Sequence, residues 1–166
     1  MPFLDLDDVT LHYLDEGTPT GPALVLAHAL DTGTLLWDKI LPLLPPGLRV
    51  VRYDARGHGQ SSTPPAPYSM GALIRDAERL MDHLGLRDAV FVGLSIGGMV
   101  AQGLAVKRPD LIRALVLSNT GAKIATPEIW AERIATARSP GGMEELARGS
   151  CERWFPRAYV QAGHHQ

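Results

Sequence analysis

The stretch Ala89-Val90-Phe91-Val92-Gly93-Leu94-Ser95-Ile96-Gly97-Gly98-Met99-Val100 decides the fold. Its first half is an apolar run of the kind required by a strand buried on both faces. Its second half opens an apolar helix, from about Ser95 to Lys107, that cannot continue through Pro109. Between the two stands G-x-S-x-G, Gly93 to Gly97. The pentapeptide alone says little. A strand directly before it and a helix directly after it are the setting of a nucleophile elbow, a sharp turn that lifts a serine above the sheet. Such a turn has no room for side chains beside the serine, which explains both glycines. Ser95 would stand at a helix N-terminus, where free N–H groups favour a developing negative charge. The same residues also describe a glycine-rich turn with an ordinary N-cap serine. A dinucleotide-type phosphate loop is a third option, but its G-x-G-x-x-G is absent.

Outward from this point, strand and helix patterns alternate. Val9–Leu14 reads as a strand closed by a turn at Asp15-Glu16-Gly17, and Ala23–Ala27 reads as the next strand. Leu35–Leu44 has helical apolar spacing up to Pro45-Pro46. Arg49–Tyr53 is a strand, followed by a turn-rich segment from Asp54 to Pro67. Ser69 caps a helix whose apolar positions are Met70, Leu73, Ile74, Ala77, Leu80, Met81 and Leu84, with Gly85 as its stop. Ala114–Ser118 is a further strand. This order predicts an α/β fold with a mostly parallel sheet covered by helices on both faces. Beyond Thr120 the pattern turns helical: Thr126-Pro127 opens one helix, and Gly141-Gly142 separates it from another reaching Trp154. The expected division is a core at 1–122, a helical segment at 123–155 and an irregular tail at 156–166.

An elbow needs two convergent N–H donors for an oxyanion. The first is expected from the residue after the serine, Ile96, and the second from the loop after the Ala23–Ala27 strand, at Leu30. His28 in that loop reads as a local hydrogen-bonding residue that shapes the turn.

Composition narrows the class. The chain has 166 residues, 45% apolar and 20% charged, with a formal net charge of -2, which fits one globular domain. No basic block offers a footprint for nucleic acid, and no apolar run has the length of a membrane span. The N-terminus MPFLDLDD lacks the basic residues of a signal peptide, and Cys151 is a lone cysteine, so a cytoplasmic setting is expected.

Three landmarks in order, His28-Ala29-Leu30, Asp54-Ala55-Arg56-Gly57-His58-Gly59-Gln60-Ser61 and Gly93-Leu94-Ser95-Ile96-Gly97-Gly98, resemble the α/β-hydrolase superfamily. The middle one looks like its D-x-R-G-x-G-x-S turn, in which His58 reads as structural. A closer resemblance, to the 3-oxoadipate enol-lactonases of aromatic catabolism, rests on Leu11–Gly17, Val50–Ser61, Gly93–Met99 and above all Asn119–Trp154. Asp31 departs from the glycine usual there. The resemblance implies hydrolysis of a small anionic enol-lactone without metal or cofactor. Ser95 would be the nucleophile, and the segment at 123–155 would be the start of a lid. The substrate's free carboxylate implies a cation in that lid, for which Arg133 is the candidate, with Trp130 walling the same pocket. A surface arginine and a lid-core tryptophan are the plain alternatives.

In this superfamily the acid and the histidine follow the serine in the chain. After Ser95 one further strand ends at Ser118-Asn119-Thr120, where amides and hydroxyls stand, and the later histidines are His164 and His165. Those two read as part of a frayed terminus. The triad histidine and acid are therefore expected to be missing, and the chain to be the N-terminal part of a larger hydrolase. Its partner would be the absent segment or another copy of the chain. The competing readings are a non-catalytic binding or scaffold module, and a different hydrolase such as a carboxylesterase or cofactor-free haloperoxidase.

Overall fold

The computed structural model describes residues 2–162, so His164 and His165 lie outside the described residues. The chain divides into two compact units, Met1–Lys123 and Ile124–Gln166. The first holds a six-stranded sheet in the order β1-β2-β4-β3-β5-β6. Its strands are β1 (Phe3–Asp5), β2 (Thr10–Gly17), β3 (Ala23–Ala27), β4 (Arg49–Tyr53), β5 (Ala89–Leu94) and β6 (Ile112–Ser118). The helices α1 (Met70–His83) and α2 (Ile96–Lys107) flank it. β1, β2 and β4 pair antiparallel, whereas β4, β3, β5 and β6 run parallel. The mostly parallel α/β sheet read from the sequence is therefore present.

Alternation along the central strands sends Val25, Val51 and Phe91, all fully buried, to one face under α1 and α2. Leu24, Leu26 and Val50 go to the other and pack on Trp37. Ser69 caps α1 as expected, its Oγ accepting the Ala72 N–H at 3.1 Å.

Three local expectations need correction, and one strand went unread. Leu35–Leu44 is not an α-helix but two short 3-10 turns, Thr34–Trp37 and Leu41–Leu43. Pro42 lacks the N–H that an α-helix would use, and the bonds that form span three residues, as from Leu43 N–H to the Ile40 carbonyl at 2.9 Å. Among the described residues this sheet face thus carries turns where a helix was expected. Asp15-Glu16-Gly17 is no turn: β2 continues through it, because Arg49 and Arg52 across the strand pair reach Asp15 at 2.7 Å and Glu16 at 2.9 Å. The edge strand β1 went unread, being too short to show alternation. The segment expected to be an irregular tail contains the helix Arg157–Gln161, opened by the Pro156 carbonyl, which accepts N–H groups of Tyr159 and Val160 at 2.9 and 3.1 Å.

The second unit is a helical hairpin, α3 (Pro127–Arg138) and α4 (Gly142–Trp154), followed by α5 (Arg157–Gln161). Thr126 caps α3 by accepting the Ile129 N–H. No helix among the described residues is long and apolar enough to cross a membrane.

Asp54, just past β4, joins the first unit together. Its carboxylate, 2% exposed, accepts His12 Nδ1–H from β2 at 2.7 Å, Thr34 N–H at 2.7 Å and Gln60 N–H at 3.0 Å. Burial pushes its pKa up, but the N–H bonds from Gln60 and Thr34 and the His12 bond outweigh burial and hold it below the ordinary carboxylate range. A depressed carboxyl stabilises the fold above the unfolded-state pKa, and that contribution is lost as pH falls through the folded value. Stability is therefore expected to decline below about pH 4. Asp54→Ala is expected to cost about 3–5 kcal/mol and to flatten this acid limb, both measured by urea unfolding against pH.

Candidate active site

Ser95 sits between β5 and α2 with φ 54° and ψ −114°, a left-handed backbone that L residues adopt only under constraint. The constraint is visible on each side. Ser95 N–H donates to the Ser118 carbonyl of β6 at 3.0 Å, and Thr120 Oγ1 donates to the Ser95 carbonyl at 2.7 Å. A Cβ on Gly93 would strike the Gly97 carbonyl, and one on Gly97 would strike the Ala27 carbonyl. The first turn of α2 therefore rests directly on the ends of β5 and β3, an approach only glycine permits. Ser95 Oγ makes no capping bond to α2. The turn thus has the geometry of a nucleophile elbow and differs from an ordinary serine cap.

The loop after β3 faces the same region. His28 is buried, and its Nε2 accepts the Ala55 N–H at 2.9 Å, which leaves Nδ1 as the protonated nitrogen, donating to the Ala29 carbonyl at 2.7 Å. Burial, partly opposed by the Ala29 bond, lowers the His28 pKa and favours the neutral ring. With both nitrogens engaged, His28 has none left to serve as a base. Among the described residues, neither the Leu30 N–H nor the Ile96 N–H has an acceptor.

Leu30 and Ile96 line one cavity of about 340 Å³, together with Tyr53, Tyr68, Met70 and Leu73. Arg56 and Asp76 lie in its wall as a buried bidentate pair, both bonds 2.6 Å, and Asp8 takes a further Arg56 bond at 3.0 Å. The Asp76 bonds strengthen the hold of Arg56 on its proton, so the guanidinium stays charged. With two carboxylates on it, Arg56 offers little net positive charge to an anion. The sequence carried a sign of this pair. Asp76 falls on the inward stripe of α1, three residues after Leu73, where a charge needs a buried partner. Among the described residues no cluster of His, Cys, Asp or Glu could hold a metal ion.

A family model described as alpha/beta hydrolase fold matches residues 22–164. The chain belongs to the α/β-hydrolase family. It is similar to 3-oxoadipate enol-lactonase 2 of Acinetobacter baylyi, 34% identical over 158 residues that make up 95% of this chain and 59% of that protein. The solved enol-lactonase from Burkholderia xenovorans superposes with a TM-score of 0.91 at 37% identity, covering 97% of this chain and 62% of that one. A solved hydrolase from Pseudomonas aeruginosa gives 0.90 at 42% identity, covering 96% and 61%. The chain thus spans about three-fifths of the length of these relatives.

Within this hydrolase fold, Leu30 and Ile96 share one cavity, and Ser95 precedes Ile96 directly. Trp130 and Arg133 come together in α3 of the second unit, the guanidinium 5.3 Å from the indole ring centre, with Trp130 Nε1–H donating to the Ile124 carbonyl at 2.8 Å. Of the later acids, Asp110 is paired with Arg108 at 2.7 Å, and Glu128 bonds the Thr126 cap.

The strain at Ser95 gives a direct test. Ser95→Gly places a residue at φ 54° that tolerates it, so the variant is expected to be more stable by about 1 kcal/mol despite the added chain entropy. Chemical denaturation measures this, and a loss of stability would show an unstrained turn.

Proposed function

We propose that this chain is the N-terminal part of a serine hydrolase acting on a small enol-lactone, 3-oxoadipate enol-lactone by similarity, with Ser95 as nucleophile. The observation that carries it is a strained Ser95 directly before Ile96, which lines one cavity together with Leu30, the backbone N–H groups of both being without an acceptor among the described residues. Similarity to enol-lactonases across 95% of the chain supports the substrate class.

In this reading Ser95 Oγ bonds to the lactone carbonyl carbon, and its proton passes to a base. The carbonyl oxygen takes the charge and receives the Leu30 and Ile96 N–H bonds. The oxyanion collapses, the ring C–O bond breaks, and the leaving oxygen takes the proton held by the base. The enol so released becomes a ketone, and water, giving a proton to the base that returns it to Ser95, cleaves the acyl-serine to a carboxylate. The substrate's other carboxylate asks for a cation, and Arg133, whose guanidinium lies over Trp130 within α3, is the residue that the resemblance to enol-lactonases suggests.

The base and its orienting acid come from a further segment, matching the length that the relatives have beyond this chain. The last strand of the sheet, β6, offers it a place: Val116 and Leu117 are 49% and 46% exposed there. A second copy of the chain is the other occupant to test.

Co-expressing the chain with the C-terminal segment of the Acinetobacter relative, followed by fluorophosphonate labelling, tests this. Label on Ser95 and lactone turnover are expected only with the segment, and Ser95→Ala should lower turnover by about a million-fold. Turnover that survives Ser95→Ala would overturn the assignment, and turnover by a dimer of the chain alone would assign the edge to a second copy. In the same assembly, Arg133→Ala is expected to raise KM for the lactone by about tenfold or more and to leave KM for a neutral ester unchanged. Equal effects on both would remove the carboxylate role.

A further inference from the structure

Leu30 N–H belongs to the Ala29–Leu30 peptide plane, so whatever fixes the Ala29 carbonyl also aims this N–H in the opposite direction. Three donors converge on that carbonyl: His28 Nδ1–H at 2.7 Å, Thr32 Oγ1–H at 2.7 Å and Thr32 N–H at 3.3 Å. The Thr32 N–H bond closes a four-residue turn, Ala29 to Thr32, with Asp31 at φ 65° in its third position. Such a turn leaves its two central N–H groups without an internal partner. The Asp31 N–H donates to His58 Nε2 at 3.3 Å, and the Leu30 N–H remains open. His58 Nδ1–H in turn donates to the Arg56 carbonyl at 3.1 Å, and its ring lies 5.2 Å from that of His28.

We propose that Thr32 and His58 are positioning residues for the oxyanion loop. Thr32 clamps the Ala29 carbonyl and so points Leu30 N–H, while His58 holds the following peptide plane by its Asp31 N–H. This rests on the hydrolase reading above for its purpose, though not for its geometry. It has a chemical signature, because only an imidazole with unprotonated Nε2 can accept the Asp31 N–H. Protonating His58 turns that acceptor into a donor facing a donor, and the Leu30–Asp31 plane is released. The titratable groups that meet the ring or line the cavity with it are His28 and Asp31 from the loop, Arg56 from its own turn, and Tyr53, Tyr68 and Asp76. His28 does not share this sensitivity, since burial favours its neutral form.

Nitrogen-15 NMR of the 166-residue chain tests the proposal. His58 is expected as the Nδ1–H tautomer, and the Asp31 amide should shift and exchange about five- to tenfold faster as His58 titrates. His58→Gln, whose amide oxygen accepts at any pH, should keep Asp31 protected and abolish the pH dependence, whereas His58→Leu should expose it throughout. Thr32→Ser should preserve the Leu30 amide shift and Thr32→Val should move it. An Asp31 amide indifferent to His58 titration in the wild-type chain would overturn the His58 role, whatever the variants do. Identical Leu30 shifts in Thr32→Ser and Thr32→Val would overturn the Thr32 role. These measurements need no turnover. A chain whose Ser95 never labels would therefore defeat the hydrolase reading and leave the loop results standing.

Discussion

The buried Asp54 carboxylate is the constraint on which the Ser95 end of the first unit depends. One side chain binds β2 through His12, the exit of the loop after β3 through Thr34 and its own turn through Gln60. Ser61 adds a second tie, donating to the Asp54 carbonyl at 2.6 Å and accepting the His12 N–H at 2.9 Å. Three segments far apart in sequence are thereby brought to one point at the end of β4. A buried charge of this kind is tolerated because donors surround it, and the same donors fix where each segment leaves the sheet.

From that point the loop geometry follows. With Thr34 anchored, the segment from His28 to Gly33 must close over a short distance, and the Ala29–Thr32 turn is the form it takes. Ser95 is held from the opposite side by Ser118 at the end of β6 and by Thr120 just beyond it. Strain at the serine and open N–H groups in the loop are costs that a packed sheet can carry locally, as happens where backbone is preset for chemistry. The arrangement leaves β6 with apolar side chains in solvent, the feature that most invites a further segment of polypeptide.

Much of this was legible in the residues. The apolar runs at Ala23–Ala27, Arg49–Tyr53 and Ala89–Leu94 marked the strands, because strands buried on both faces have little choice of composition. Gly93 and Gly97 marked the elbow, because no other residue fits against the carbonyls there. Leu35–Leu44 misled, since its apolar spacing is helical while Pro42 denies it the helix. Asp15-Glu16-Gly17 misled in the other direction: its charges suggested a turn, and partners on β4 made it strand.

The sequence by itself determined the order of strands and helices, the site of the serine turn and the family, since each rests on local composition and spacing. Only the tertiary structure decided which N–H of the loop after β3 stays open, that Asp76 meets Arg56 in the cavity wall, and that His58 reaches Asp31. Those pairings join residues 20 to 27 positions apart. Their geometry depends on where the sheet and its turns place each backbone, which no local pattern records.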